Sequence, residues 1–344
     1  MSELKAALNA DPPLSADASH QRKIWQPASA ELTVALISYN SDAFLRDCLQ
    51  ALEDALEGLD ARIIVADNAS PYGAPIWVRT FGPTTKLIEN PVNVGFGRAN
   101  NQIADAFKAR FVLLVNTDAF VAPEAVRSAL DYMRAHPECG VIGARLVGPD
   151  GVEQPAARPF PTVLRQFALR AGLWPIARRW MQSDRSVPPG DHAIDCDWVP
   201  GCFYLVRSEV IDRIGLFDPR YFLYYEEVDH CRRVRMAGWK VVCLPWVRVV
   251  HIGGGSAETA GQLTRSGRQI SVLQIESELL YLRKHHGLHG VMLHVALQLA
   301  ADPVRVLVNT LRLRLTHGLP DGWRTNRAML RLLVATKFGS SPTR

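Results

Sequence analysis

From Leu32 to Ile37 the chain is apolar and β-rich, and it breaks at Ser38–Tyr39–Asn40–Ser41 before Leu45, Leu49, Leu52 and Leu56 take up a helical spacing. That pattern predicts strand, loop and helix. A second apolar run, Arg62–Ala66, closes on the turn formers Asp67–Asn68–Ala69–Ser70–Pro71. A third, Lys86–Ile88, leads into Asn93–Val94–Gly95–Phe96–Gly97 and a helix predicted over Ala99–Ala109. A fourth, Phe111–Val115, stops at Asn116–Thr117–Asp118. Near-continuous apolar strands alternating with helices predict a mainly parallel sheet covered on both faces.

In such sheets ligands bind in the crevice outside the carboxyl ends of the strands, where Asp67, Asn93 and Asp118 fall. The middle section, Gly148–Asp195, is Pro- and Arg-rich and less regular, with room for a mobile loop near that crevice. A second patterned block runs from Trp198 to Ser256, and the rest of the chain reads as helix.

With 344 residues, 48% apolar and 21% charged, the chain can bury one large core or a core with a smaller appendage. Residues 1–30 carry Pro12, Pro13 and Pro27 among small and polar residues and read as a flexible extension, not a signal peptide. Cys48, Cys139, Cys196, Cys202, Cys231 and Cys243 form no C-x-x-C pair, which predicts reduced, core-packing thiols of a cytoplasmic protein. No uninterrupted apolar run reaches the roughly 18 residues of a spanning helix, so the chain is expected not to cross a membrane.

Charge is distributed unevenly. Between Tyr281 and Arg344 ten Lys or Arg stand against Asp302 and Asp321, a net +8 in a chain whose total is +5. With the apolar stretch Gly290–Ala301 and the alternation Leu311–Arg312–Leu313–Arg314–Leu315, this predicts a peripheral contact with an anionic membrane surface. No nucleic-acid partner is expected.

Two acidic features stand out. Asp118 directly follows the most apolar strand of the first half. A carboxylate is useful there at a strand-end crevice, although Asn116–Thr117–Asp118 would also serve as a helix N-cap before Pro123–Glu124–Ala125. In Tyr221–Phe222–Leu223–Tyr224–Tyr225–Glu226–Glu227–Val228–Asp229, three carboxylates follow a strongly aromatic run. Acids clustered beside apolar surface have raised proton affinity and suit general-base work. Acids in the first turn of a helix would account for the charges but not for the rings.

Taken in order, Ser38–Tyr39–Asn40, Asp67–Asn68–Ala69–Ser70, Asn93–Val94–Gly95–Phe96–Gly97 with Asn100–Asn101, Asn116–Thr117–Asp118, Trp198–Val199–Pro200–Gly201, Phe217–Asp218, Glu226–Glu227–Val228–Asp229 and His251 resemble the family-two inverting glycosyltransferases. The closest likeness is to the rhamnosyltransferase-like branch that builds bacterial surface polysaccharides such as O-antigen. The resemblance implies an α/β GT-A fold, a Rossmann-like mainly parallel sheet flanked by helices, over residues 31–256, with a helical basic segment over 257–344. It implies a nucleotide diphosphate sugar donor, with L-rhamnose from dTDP-rhamnose as the leading case, a saccharide or lipid-linked acceptor, and Mg²⁺ or Mn²⁺.

Roles follow position by position. Ser38, Tyr39, Asn40, Asp67 and Asn68 match the nucleoside-binding loops. Asn93, Gly95, Gly97, Asn100, Asn116 and Thr117 match the lining of the donor pocket. Arg233 matches a diphosphate contact, Asp118 and His251 the metal ligands, and Glu227 the catalytic base. Asn116 stands where many relatives have the first Asp of the metal motif, and Glu227 where Asp is usual. Those departures leave room for a catalytically silent relative that binds nucleotide sugar and acts as an assembly partner. A dinucleotide fingerprint at Gly95–Asn100 fits less well, because two strand units precede it and Asn100 occupies the third glycine. His285, His286, His289 and His294 lie outside the matched region and are expected on a helix surface or facing a membrane.

Overall fold

The computed structural model describes residues 30–179, 184–253, 272–311 and 322–344. The N-terminal extension, the boundary at 256/257, Gly254 and Gly255, and the alternation from Arg312 onward lie outside the described residues.

The first half builds as its apolar pattern requires. Strand β1 (Ala30–Ser38) is followed by α1 (Asp42–Leu56), β2 (Ala61–Asp67), β3 (Thr85–Glu89), α2 (Phe96–Ala106) and β4 (Ala109–Asn116). These four strands are parallel, in the order β3-β2-β1-β4. Unbroken burial from Arg62 to Asp67 in β2 means that both faces are covered, since side chains alternate across a strand. Ser38 pairs with Asp67 and Ile37 with Asn116, so the carboxyl ends of β1, β2 and β4 are level and open on one edge.

Beyond β4 come β5 (Ala119–Val121), α3 (Ala125–Ala135), β6 (Cys139–Val147), β7 (Glu153–Ala157), α4 (Val163–Arg170), α5 (Trp174–Ala177), β8 (Arg185–Ser186), β9 (Ile194–Asp195), β10 (Phe203–Arg207), α6 (Ser208–Ile214), α7 (Glu226–Met236) and β11 (Lys240–His251). The sheet continues β4-β10-β6-β11-β5. It is not parallel throughout: β10 runs antiparallel to both β4 and β6, and β5 antiparallel to β11. The section read as irregular also carries regular structure, because β7 pairs with β6 and α4 packs on the C-terminal helices.

The capping alternative for Asp118 is not what forms. The chain enters β5 immediately after it, and α3 starts at Ala125 with Glu124 in the capping position.

The C-terminal part consists of α8 (Val272–Leu311) and α9 (Gly322–Ala335), which share a second apolar cluster that includes Leu279, Leu282, Val291, Val295, Met329 and Leu332. Arg170 of α4 ties it to the main body, donating from Nη2 to Asp302 Oδ2 at 2.9 Å and to Asn326 Oδ1 at 2.8 Å. Helix α8 breaks at Gly287, whose φ of 67° lies in the left-handed region that glycine enters at little cost. It is also long and apolar enough to cross a membrane by length and composition, with an 18-residue window of mean hydropathy 1.5, 28% of it buried. No uninterrupted apolar run marks it in the sequence, because His294, Gln298, Asp302 and Arg305 break the stretch while its many Val, Leu and Ala residues keep the mean high.

Candidate active site

The level ends of β1 and β2 carry a polar lattice made from the expected donor-binding residues. Asp67 is buried and accepts from Ser70 N at 3.1 Å and Ser70 Oγ at 2.5 Å, while Ser70 Oγ also accepts from Asn40 N at 3.0 Å. Asn68 donates to Asn93 Oδ1 at 2.8 Å and accepts from Val94 N at 3.0 Å; Asn93 Oδ1 also accepts from Gly95 N at 2.9 Å. Ser38 is buried with its hydroxyl 2.9 Å from that of Ser41, and Tyr39 is half-buried beside the exposed Asn40. Sequence-distant loops therefore hold one another before any ligand arrives.

Gly95 has a φ of 87°, and a Cβ there would stand 2.5 Å from the Phe222 carbonyl, so only glycine lets the start of α2 meet the turn before α7. Phe96 N donates to that carbonyl at 2.8 Å. Gly97 lies against Phe217 and Tyr221, and Asn100 is fully buried with Nδ2 bonded to the Phe96 carbonyl at 3.0 Å. Asn101, quoted in the motif but given no role, clamps the Phe217 backbone on both sides, donating at 2.8 Å and accepting at 3.0 Å.

The expected metal ligands converge. Because β11 pairs antiparallel with β5, placing His251 opposite Ala119, His251 Nε2 comes 3.6 Å from Asp118 Oδ1. Gln154, which sequence reasoning missed, fixes the ring: its Oε1 lies 3.1 Å from His251 Nδ1, and its Nε2 donates to the His251 carbonyl at 2.8 Å. With Nδ1 donating to Gln154, the Nε2 lone pair faces Asp118. No group of three His, Cys, Asp or Glu suited to a metal assembles among the described residues. Two protein ligands still fit Mg²⁺ or Mn²⁺, since such ions fill their remaining positions with water and phosphate oxygens. Asn116 and the buried Thr117 precede Asp118, and Asn116 N bonds to the Cys202 carbonyl at 3.3 Å. The charges of both Asp118 and Glu227 push the buried Cys202 thiol further up, beyond the larger effect of burial, so the two ends of the site meet around that residue.

The three acids of the aromatic block occupy different environments. Asp229 is fully buried and ion-paired: Arg233 Nε donates at 2.8 Å, Lys284 Nζ lies 2.7 Å away and His285 Nε2 2.7 Å away. Burial alone would raise its carboxyl, but the His285 hydrogen bond and the Arg233 and Lys284 charges hold it well below the usual range. Glu226 is buried and Glu227 partly exposed. Burial raises both carboxyls, Glu226 the more because Glu227 repels it, while Arg158 pulls Glu227 partly back. Neither Glu makes a salt bridge among the described residues, and one oxygen of each is buried without a hydrogen-bond partner there.

Just upstream, Tyr224 and Tyr225 both take left-handed conformations, with φ of 71° and 68°. Such residues cost roughly 1–3 kcal/mol each and persist where their surroundings hold them. Tyr225 is held: its hydroxyl receives Gln166 Nε2 at 3.1 Å, and its ring packs on Tyr281 of α8. Asn40 and Ala69, in the first two loops, are left-handed as well.

Two expectations from sequence meet a different environment. Arg233, matched to a diphosphate contact, donates to Asp229 and to the carbonyls of Ile214, Gly215 and Leu216, so the protein engages both terminal nitrogens and Nε. His285, expected on a helix surface, turns inward onto Asp229, and His294 is buried near Glu278.

The chain is similar in sequence and fold to known proteins. Residues 33–181 match the family described as glycosyl transferase family 2. The chain is 28% identical over 235 residues to N-acetylglucosaminyl-diphospho-decaprenol L-rhamnosyltransferase of Mycobacterium tuberculosis, covering 64% of this chain and 75% of that one. It is 24% identical over 236 residues to the low-salt glycan biosynthesis hexosyltransferase Agl10 of Haloferax volcanii, covering 67% and 69%. Mannosyltransferase PcManGT from Pyrobaculum calidifontis, solved with GDP-Man and Mn²⁺, shares the fold with a TM-score of 0.53 at 14% identity, covering 91% of this chain and 88% of that one. Residues 33–181 thus match a family-2 glycosyltransferase domain, the chain is similar to a rhamnosyltransferase over about two thirds of its length, and its fold is of the GT-A type.

The ion-paired acids give an acid-side stability signature. Asp218, bonded to Arg220 and Lys284, is held at about 2 despite its burial, and Asp229 is lowered in the same sense. A lowered carboxyl stabilises the fold above its unfolded value of about 3.9 and loses that contribution as pH falls through the folded value. Urea midpoints should therefore fall between about pH 4 and about pH 2, and Asp218→Asn should flatten that limb. Asp229→Asn, which leaves the half-buried Lys284 and Arg233 against a neutral group, should lower stability at pH 7 by roughly 3 kcal/mol.

Proposed function

We propose that the chain is an inverting, metal-dependent glycosyltransferase that moves a hexose, with L-rhamnose from dTDP-rhamnose as the leading donor, onto a saccharide or lipid-linked acceptor in cell-surface polysaccharide synthesis. The supporting observation is the division of labour among the three clustered acids. Asp229 is spent on cations and Glu226 is buried, whereas Glu227 is partly exposed, raised in proton affinity and free of salt bridges among the described residues. The rhamnosyltransferase name of the Mycobacterium tuberculosis relative supports the sugar.

In this reading Glu227 takes the proton of the acceptor hydroxyl as that oxygen bonds to the anomeric carbon. The bond from that carbon to the diphosphate oxygen breaks on the opposite face, so the configuration inverts in one displacement. Asp118 and His251, with Gln154 orienting the imidazole, would hold Mg²⁺ or Mn²⁺. When bound, the ion supplies charge neutralisation for the leaving diphosphate. The loops around Ser38, Asp67, Asn68 and Asn93 would enclose the nucleoside, and Gly95, Gly97 and Asn100 the rest of the donor. Residues 31–256 form the catalytic unit, and the helices Val272–Leu311 and Gly322–Ala335 belong to a basic C-terminal segment.

That segment supports peripheral attachment to the inner face of the cytoplasmic membrane. Helix α9 turns Met329, Leu332 and Leu333 inward and exposes Trp323, Leu330 and Val334 beside Arg324, Arg327 and Arg331. An apolar stripe edged with arginines matches an anionic bilayer surface, where each basic residue contributes about 1 kcal/mol.

Four measurements check the reading. Excess chelator should abolish transfer, and Asp118→Ala should do so while thermal unfolding stays cooperative; full activity in chelator would remove the metal. Glu227→Gln should cut turnover roughly 100-fold or more with donor binding nearly intact, and Glu227→Asp should retain much more activity. Because the raised carboxyl must ionise to act, the acidic limb of the wild-type rate profile should lie above the ordinary glutamate value. The purified chain should sediment with anionic vesicles at low salt and release at high salt, and failure to bind would count against membrane attachment.

A further inference from the structure

Helix α9 ends in a reversal that sends the chain back across α8. Thr336 is fully buried, and its hydroxyl donates to the Leu332 carbonyl at 2.7 Å and accepts from Gly339 N at 2.9 Å. Lys337, Phe338 and Gly339 follow with φ of 50°, 60° and 75°, three left-handed residues in succession where a helix end commonly uses one. A Cβ at Gly339 would overlap the Leu279 carbonyl oxygen, so glycine alone lets the chain pass this close to α8. Two L residues held in that region carry a backbone cost, and such strain persists where the rest of the structure demands the path.

The path leads to the turn before α7. Thr343 N donates to Glu276 Oε1 at 2.6 Å and Thr343 Oγ1 to Glu276 Oε2 at 2.9 Å, so a buried carboxylate of α8 spends both oxygens on one residue of the tail. The next residue of α8, Ser277, donates from Oγ to the Leu223 carbonyl at 2.9 Å. Neighbouring side chains of α8 thus hold the tail and the turn side by side. Arg344 then sets its guanidinium 5.2 Å from the centre of the half-buried Phe222 ring. It makes no ion pair among the described residues, and the negative face of the ring takes the place of a counter-ion.

Phe222 is also where the expected donor loop is fixed. Its carbonyl accepts from Phe96 N at 2.8 Å, and its carbonyl and ring stand so near Gly95 that a Cβ there would meet both. Asn93 Oδ1 accepts from Gly95 N at 2.9 Å. Phe222 therefore has the loop Asn93–Gly97 against its carbonyl and ring edge, and over its ring a guanidinium delivered by the tail.

We propose that Arg344 is a positioning residue for donor binding: stacked on Phe222, it holds that residue against Gly95 and keeps the Asn93–Gly97 loop in the conformation that receives the nucleotide sugar. The inference rests on the reading of this loop as donor-binding. It makes donor affinity depend on the tail beyond α9, far in sequence from residues 33–181 that match the family.

Calorimetric titration of the full chain with dTDP, UDP and GDP in the presence of Mn²⁺ identifies the tightest nucleotide, and that nucleotide is the probe. Arg344→Ala should weaken its binding about three- to fivefold, the scale of one exposed cation–ring contact, with the melting temperature of the free protein unchanged. Arg344→Lys, which keeps a cation over the ring, should retain most of the affinity. Phe222→Leu should weaken binding at least as much as Arg344→Ala, and combining the two should cause no further loss, because Arg344 acts through the ring. Wild-type affinity in Arg344→Ala, whatever its melting temperature, would overturn the proposal. So would additive losses in the double variant, which would put Arg344 on the nucleotide itself, and a loss in Arg344→Lys equal to that in Arg344→Ala, which would remove the stacking. Wild-type protein that binds none of the three nucleotides would sink the donor reading itself, so the two failures register separately.

Discussion

The buried carboxylate of Asp229 is the constraint on which the rest of the site depends. An isolated carboxylate in that position would cost many kcal/mol, and the chain offsets this by bringing Arg233 from the same helix and Lys284 and His285 from α8 to it. The cluster fixes the first turn of α7 and therefore the direction in which Glu227 leaves the helix. It also joins α8 to the main sheet domain through buried charge, so the C-terminal helices are part of the framework that supports the candidate base. The two left-handed tyrosines at 224 and 225 persist beside it because Tyr225 is gripped by Gln166 and Tyr281, both on elements that the same packing holds.

Glu226 and Glu227 work in the opposite sense. Their carboxyls are raised in the folded state, so whatever they add to stability is present at low pH and lost as pH rises through the folded value. Near neutral pH the pair weakens the fold while Asp229 and Asp218 strengthen it. Three acids within four positions thus diverge because one is surrounded by cations and two are not. The divergence defines a base with raised proton affinity next to a rigid anchor, and it explains why the acid nearest the cations is the weakest candidate for proton transfer.

Much of this was legible in the sequence, for a definite reason. Parallel strands in an α/β sheet end on one edge, so Asp67, Asn93 and Asp118 could be brought together from apolar runs and turn residues alone. His251 required the resemblance, since its approach to Asp118 depends on β11 pairing antiparallel with β5. The antiparallel insertion of β10 between β4 and β6 was hidden, because a buried apolar strand carries no mark of its direction. Contacts across long separations were hidden as well. Gln154 meets His251 from 97 residues away in a section that reads as irregular, and His285 meets Asp229 from 56 residues away on a helix that reads as surface. A lone Gln or His carries no periodic signal, and only the folded register selects its partner.

The break at Gly287 explains why α8 resisted a single description. Before it, Leu279, Leu280 and Leu282 pack inward while Lys284 and His285 reach Asp229, the work of a helix in a protein interior. After it, Val291 and Val295 keep one face on α9 while Leu288, Met292, Leu293 and Leu299 stay exposed, the pattern of a helix whose second apolar face has a different solvent or partner. A positive φ resets the rotation of the side-chain stripe, so no single 3.6-residue phase fits both halves. Read as one helix, the segment is too polar at its start for a membrane and too apolar at its end for water. Read as two helices hinged on a glycine, each half has a consistent environment, and the hinge falls where the polar anchoring to Asp229 gives way to exposed hydrocarbon.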